Sequence, residues 1–190
     1  MSRLRGLLAT GNAGKAAELS RLLGADVEAR PLDVVEDAGS YAGNALLKAR
    51  AARAVAGDRV GLGDDSGIEV AALGGEPGLR SARWTGPGDA DRNAALLARL
   101  EGASDRSAAF VCVLAAVLPD GREILAEGRV EGDLAEAPRG AGGFGYDPLF
   151  VPRGETRTVA ELSAGEKDEL SHRGRAARAL VTALREAGAA

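Results

Sequence analysis

The longest strand signal in the chain is the run 107–118, with Phe110, Val111, Val113, Leu114 and Val117. It reaches Pro119-Asp120-Gly121 and returns as a partner run, 122–130. Apolar runs joined by a Pro-Asp-Gly turn carry a hairpin signature, so the chain must build part of a sheet from consecutive strands. Around this hairpin, strands and helices interleave. Residues 4–10 and 59–62 read as short strands and 27–32 as a weaker one. The stretch 15–23 places Ala16, Leu19, Leu22 and Leu23 at helical spacing. Residues 44–55 and 91–100 read as helices, and 171–187 as a terminal helix with Ser171 as its N-cap. The stretch 68–73 fits strand or short helix, and 159–162 starts a short helical segment. Interleaved elements with one hairpin predict an α/β fold with a mixed central sheet and flanking helices. No linker or internal repeat divides the 190 residues, which are expected to form a single domain.

Composition narrows the partners. The 28 acidic and 24 basic side chains leave a net charge of −4, which argues against a sequence-independent nucleic-acid surface. One cysteine and one histidine build neither a disulfide framework nor a structural zinc site. No apolar run is long enough to span a membrane, and the apolar stretch 6–9 is too short for a secretory core. A cytoplasmic location is the expectation. Only three of the 24 basic residues are lysines, Lys15, Lys48 and Lys167. Where arginine dominates so strongly, a retained lysine marks a position suited to a compact ammonium.

Five segments carry candidate chemistry. Thr10-Gly11-Asn12-Ala13-Gly14-Lys15 leads from a strand into a helix N-terminus, where free N–H groups and the helix dipole favour an anion. It departs from a Walker A loop in its glycine spacing and in Ala16 after the lysine. Lys15 in a first helical turn opposes the dipole, a conflict that an external phosphate would resolve. The alternative is an ordinary turn with an exposed lysine. Gly63-Asp64-Asp65-Ser66-Gly67 closes a strand with paired acids suited to Mg²⁺ or to activating water. Both acids reach one site only if the chain turns there, which Gly67 permits; the alternative reading is a solvated acidic turn. Asn44 and Lys48 share a helix face. In Gly142-Gly143-Phe144-Gly145-Tyr146-Asp147-Pro148 the aromatics either stack on a flat ligand or plug the core. Glu166-Lys167 precedes Ser171-His172-Arg173-Gly174 at a helix start. All three lysines fall within these segments, which together suit a nucleoside polyphosphate: cations for phosphates, carboxylates for Mg²⁺ and an aromatic for the base.

These segments resemble, in order, the family of pyrophosphatases for non-standard purine nucleoside triphosphates, the inosine and xanthosine triphosphate pyrophosphatases. Leu73-Gly74-Gly75, Pro77-Gly78, Ser81-Ala82-Arg83 and Ala160-Glu161-Leu162 also match, so the resemblance runs the length of the chain. It implies a mixed sheet in two lobes around a substrate cleft, a homodimer, and Mg²⁺-dependent attack of water on the α-phosphate. The products would be nucleoside monophosphate and pyrophosphate. Asp65 is then the catalytic carboxylate and metal ligand, supported by Asp64, with Glu36 as a second metal ligand. Thr10 to Lys15, Lys48 and Lys167 are expected at the phosphates. Ser66, Phe144, Gly145, Tyr146, Asp147, His172 and Arg173 are expected at the nucleoside, with Phe144 stacking and Arg173 among the donors to the purine 6-oxo group. The chain has Gly43, Ser40-Tyr41, Trp84 and Asp168 where the family usually has Glu, Thr-Phe, Tyr and Asn, and Asp168 is expected to point away from the phosphates. The rival readings are a catalytically silent nucleotide sensor and a pyrophosphatase for other modified nucleotides.

Overall fold

The computed structural model describes residues 4–86 and 88–189. Its order is β1 (Arg5–Ala9), α1 (Ala13–Leu23), β2 (Asp26–Arg30), α2 (Tyr41–Val55), β3 (Val60–Val70), α3 (Asp89–Arg99), β4 (Ser107–Val117), β5 (Glu123–Leu134), β6 (Phe150–Pro152), α4 (Ala164–Leu170) and α5 (His172–Glu186). Short 3-10 turns occupy Ala71–Leu73, Gly78–Arg83 and Val159–Glu161. The six strands form one sheet in the order β2-β1-β3-β4-β5-β6. β1 pairs in parallel with both β2 and β3, whereas β5 and β6 are antiparallel, so the sheet is mixed as expected. Among the described residues no helix is long and apolar enough to cross a membrane.

The chain divides into two compact units. The first holds the described residues up to Asp65, Cys112–Gly128, and those from Arg173 onward. The second holds Ser66–Val111 and Arg129–His172. In the first unit, α1 and α5 cover one sheet face, burying Ala16, Leu19, Ala177, Leu180 and Leu184 against Leu8, Val60, Leu62, Cys112 and Leu114. On the other face, Ala45 and Ala49 of α2 meet Val113, Ala115 and Val117, while Ala52 and Ala56 meet Leu7 and Ala9. Alternate residues of β4 thus serve opposite layers, which is why its sequence reads as a nearly continuous apolar run. β5 instead alternates buried and exposed along most of its length. The second unit packs Ile68, Val70, Leu96, Phe110, Tyr146, Leu149 and Phe150 together.

Two glycines let α2 lie directly on β3. A Cβ on Gly63 would stand 2.0 Å from the Ala45 carbonyl oxygen, and one on Gly61 2.4 Å from that of Ala49. The small residues of α2 and these bare strand positions together bring the helix close enough for its side chains to reach the strand's continuation.

That continuation differs from expectation. β3 does not end at Gly63; it runs through Gly63-Asp64-Asp65-Ser66-Gly67 to Val70 as one extended strand. The acid pair is therefore neither a turn nor solvated, since Asp64 and Asp65 are both buried. The stretch 68–73 divides between the two readings, strand to Val70 and then a 3-10 turn. The short β6 and the separate α4 add to the expected elements. Ser163 caps α4, its Oγ accepting from the Glu166 N–H at 3.3 Å while the Glu166 carboxylate accepts from the Ser163 N–H at 2.8 Å.

Candidate active site

Because β3 stays extended, consecutive side chains point to opposite faces. Asp64 follows Leu62 towards the layer of α1 and α5. Asp65 follows Gly63 towards α2. The two carboxylates consequently acquire different partners and different electrostatics, although one peptide separates them.

Asp64 lies in a nest of donors. Lys15 Nζ, from the first turn of α1, donates to its Oδ1. Arg173 Nε, from the first turn of α5, donates to Oδ2 at 3.2 Å, and Cys112 Sγ donates to the same oxygen at 3.6 Å. Arg173 Nη1 also donates to Glu18 Oε2 at 3.2 Å. Burial alone would raise the Asp64 carboxyl, but the Lys15 and Arg173 charges prevail and hold it far below the usual carboxylate range. Asp64 is therefore a permanent anion. It also relieves the dipole conflict at Lys15 from inside the protein, where an external phosphate was expected to do so.

Asp65 meets a different set. Asn44 Nδ2 donates to its Oδ2 at 3.0 Å, and Lys48 Nζ lies 3.4 Å from Oδ1. The same ammonium lies 2.8 Å from Glu36 Oε1. Asn44 Oδ1 accepts from the Ala38 N–H at 3.1 Å, so one amide ties both the Glu36 loop and Asp65 to α2. Burial raises the Asp65 carboxyl, Lys48 and Asn44 oppose the rise, and the Glu36 and Asp64 charges add to it. Burial would lower Lys48, but Asp65 and Glu36 outweigh it and keep the ammonium charged. Two carboxylates around one ammonium form a net acidic, largely buried group. Among the described residues no three His, Cys, Asp or Glu side chains gather as metal ligands. Asp65 and Glu36 nonetheless fit a hard cation such as Mg²⁺, which takes one or two carboxylates and keeps several waters.

The segment 11–14 is exposed at the start of α1. Asn12 caps the helix, its Oδ1 accepting from the Lys15 N–H at 3.2 Å, and Thr10 Oγ1 accepts from the Asn12 N–H at 3.1 Å. The first turn of a helix retains N–H groups without intrahelical acceptors, so this loop keeps an anion-binding capacity.

The remaining expected residues belong to the second unit. Its glycine-rich loop divides the two readings of its aromatics. Tyr146 is buried in the core, with its hydroxyl donating to the Ser81 carbonyl at 2.9 Å. Phe144 is half-buried, and Lys167 Nζ stands 4.7 Å from its ring centroid. Lys167 also lies 2.6 Å from Asp147 Oδ2, which accepts from the Phe144 N–H at 2.9 Å. His172 is buried and stacks on Phe110 with centroids 4.5 Å apart. Ser66 is half-buried on β3.

The structure thus gathers Lys15, Asp64 and Arg173 in one group, Lys48, Asp65 and Glu36 in another, and Phe144, Asp147 and Lys167 in a third. Lys167, expected at phosphates, is instead paired with the carboxylate of the glycine-rich loop. Arg173, expected at the base, is 1% exposed and bound to two carboxylates. Cys112, buried on β4, is a further donor to Asp64. Nothing local in its strand signals that, because the contact joins residues 48 positions apart.

Comparison with known proteins places this arrangement. The sequence profile of the Ham1 family matches residues 7–183. A dITP/XTP pyrophosphatase of Symbiobacterium thermophilum is 53% identical over 184 residues, covering 93% of this chain and 92% of the relative. One from Streptomyces coelicolor is 48% identical and covers 98% of both chains. Among solved structures, a HAM1 protein from Coxiella burnetii superposes with a TM-score of 0.83 at 38% identity, covering 96% of this chain and 99% of the other. A nucleoside-triphosphatase / dITP/XTP pyrophosphatase from Mycobacterium abscessus gives 0.72 at 45% identity, covering 93% and 98%.

Proposed function

The chain belongs to the Ham1 family, and on that premise we propose that it hydrolyses non-standard purine nucleoside triphosphates, dITP, XTP and ITP, at the α-phosphate. The products are nucleoside monophosphate and pyrophosphate. The observation that carries this reading is Asp65: a buried carboxylate oriented by Asn44 and flanked by Lys48. A carboxylate held in this way suits a general base that takes a proton from water.

Cleavage of a triphosphate depends mostly on positioning and on stabilising charge. Lys15 and Lys48 supply compact point charges for phosphate oxygens, and the N–H groups at the start of α1 add fixed partial charges. Asp64, itself held by Arg173, keeps Lys15 in place. Asp65 and Glu36 are the residues that would hold Mg²⁺, which when bound neutralises phosphate charge and favours deprotonation of water. Asp65 aligns the attacking water and accepts its proton.

The residues expected at the purine, other than Arg173, lie in the second unit. Phe144 offers a half-exposed ring for stacking, braced by Lys167. Inosine and xanthosine carry an acceptor at the purine 6-position where adenine carries a donor, so fixed N–H groups there discriminate against ATP. The Lys167 ammonium, which keeps donors beyond its bond to Asp147, suits that task. The same reading takes the enzyme to be cytoplasmic and to work as a homodimer, as expected of this family.

The test is pyrophosphate release from ITP, XTP, dITP, ATP and GTP, with Mg²⁺ and with chelator. Metal-dependent release favouring the first three is expected. Release of orthophosphate would move the attack to the γ-phosphate and overturn the assignment.

A further inference from the structure

The glycine-rich loop is gripped by a helix to which the mechanism gives no role. Asp89 and Asn93 lie one turn apart on α3 and so share a face. Asp89 Oδ2 accepts from the Gly145 N–H at 2.6 Å, and Asn93 Nδ2 donates to the Gly145 carbonyl at 3.0 Å. Both backbone polar groups of one residue are thereby held by two side chains 52 and 56 positions away in sequence. Gly145 has φ +65°, a conformation other residues rarely adopt, and it directly follows Phe144.

Helix stability explains neither bond to the loop: the Asp89 charge suits the first turn of α3 wherever its oxygens point, and Asn93 in the helix interior adds nothing to the helix. The start of α3 is served by Asp91, whose Oδ2 accepts from the Gly88 N–H at 3.2 Å. Asp89 is left to face the loop, and Arg92 fixes it through its other oxygen. Asn93 is 5% exposed, and its Oδ1 has no hydrogen-bond partner among the described residues. An unsatisfied buried acceptor is a net cost, which an apolar residue of the same shape would avoid. The amide is worth that cost only for its bond to Gly145.

We propose that Asp89 and Asn93 are positioning residues that clamp the Gly145 peptide, fix the stance of Phe144 and so set the enzyme's affinity for its purine. The proposal deepens the purine-triphosphate reading and rests on it. Phe144 is bonded directly to Gly145, so holding the Gly145 peptide limits the backbone torsions that aim its ring, while its own N–H is tied to Asp147 and its ring faces Lys167.

Three variants test the clamp: Asp89→Ala, Asn93→Leu and Asp89→Asn, the last of which keeps an acceptor for the Gly145 N–H. KM and kcat for ITP are read from pyrophosphate release, alongside melting temperature and hydrogen exchange of the 142–148 amides. Asp89→Ala and Asn93→Leu are expected to raise KM about tenfold with kcat within about threefold, the pattern of lost binding rather than lost chemistry. Asn93→Leu loses one hydrogen bond but sheds one unsatisfied acceptor, so its melting temperature should change by only a few degrees, and Asp89→Asn should restore KM to within about threefold of the parent. The loop amides should exchange faster in the first two variants. An unchanged KM in Asn93→Leu, or a KM that rises only in step with lost stability, overturns the proposal. If the parent protein itself releases no pyrophosphate from ITP, the activity reading fails. Loop exchange then decides the clamp, and unaltered exchange in both variants overturns it.

Discussion

Lys15, Arg173 and Cys112 converge on the Asp64 carboxylate, while Asp65, one peptide on, is flanked by Lys48, Asn44 and Glu36. This division gives the two acids separable phenotypes. Asp65→Asn should fold normally and lose on the order of 10²- to 10⁴-fold in kcat for ITP, measured at saturating Mg²⁺, because it removes the base and leaves the size unchanged. Asp64→Asn should behave differently. It takes one of two carboxylates from the fully buried Arg173, Glu18 remaining; removing a partner from a buried pair costs at most about 3–5 kcal/mol, so chemical denaturation should reveal a loss of stability. Its pH dependence has a definite sign. The folded Asp64 carboxyl is depressed, so its contribution is complete above the unfolded value of about 4 and is lost as pH falls below it. Denaturation in chelator across pH 6 to 2 should therefore show the parent protein losing stability towards acid more steeply than Asp64→Asn.

At the scale of elements, the decisive contact is α2 on β3. Gly61 and Gly63 admit the helix backbone, and that approach places Asn44 and Lys48 beside Asp65. Gly63→Ala would push a methyl group into the Ala45 carbonyl and should cost about 1–3 kcal/mol, with a further fall in ITP turnover as Lys48 is displaced. Gly165 provides the contrast. It lies within α4 with open space around its Cβ position, so Gly165→Ala should be neutral or stabilising by up to about 1 kcal/mol in a thermal melt. α3 illustrates a different point. Its apolar spacing marks it as a helix, yet nothing in that spacing distinguishes Asp89 and Asn93 from ordinary solvent-facing residues. Their meaning comes from Gly145, a partner brought near only by folding.

At the scale of the whole molecule, substrate binding should be visible as stabilisation. A non-hydrolysable ITP analogue with Mg²⁺ at a hundred times its Kd should add about 2.7 kcal/mol, which for a chain of this size raises the melting temperature by roughly 5–10 °C. The same concentration of an ATP analogue should do much less, and an equal shift for both would remove base selection from the proposed function. The sequence by itself determined the α/β class, most of the strands and helices, and the segments that matter: the Lys15 turn, the Asn44–Lys48 face, Asp64-Asp65 and the glycine-rich loop. These were legible because each sets an unusual residue in a local context that its neighbours define, such as a lysine in a first helical turn or glycines around an aromatic. Only the tertiary structure decided what those residues do to one another. It drew Gly63 to Gly67 straight where a turn was expected, sending Asp64 and Asp65 to opposite faces. It placed Tyr146 in the core while leaving Phe144 half-exposed, and it gave Arg173 two buried carboxylates. Backbone periodicity is a local property, and a short stretch of sequence reveals it. A carboxylate's charge state and an aromatic's exposure depend on side chains tens of residues away, whose positions follow only from how the layers pack.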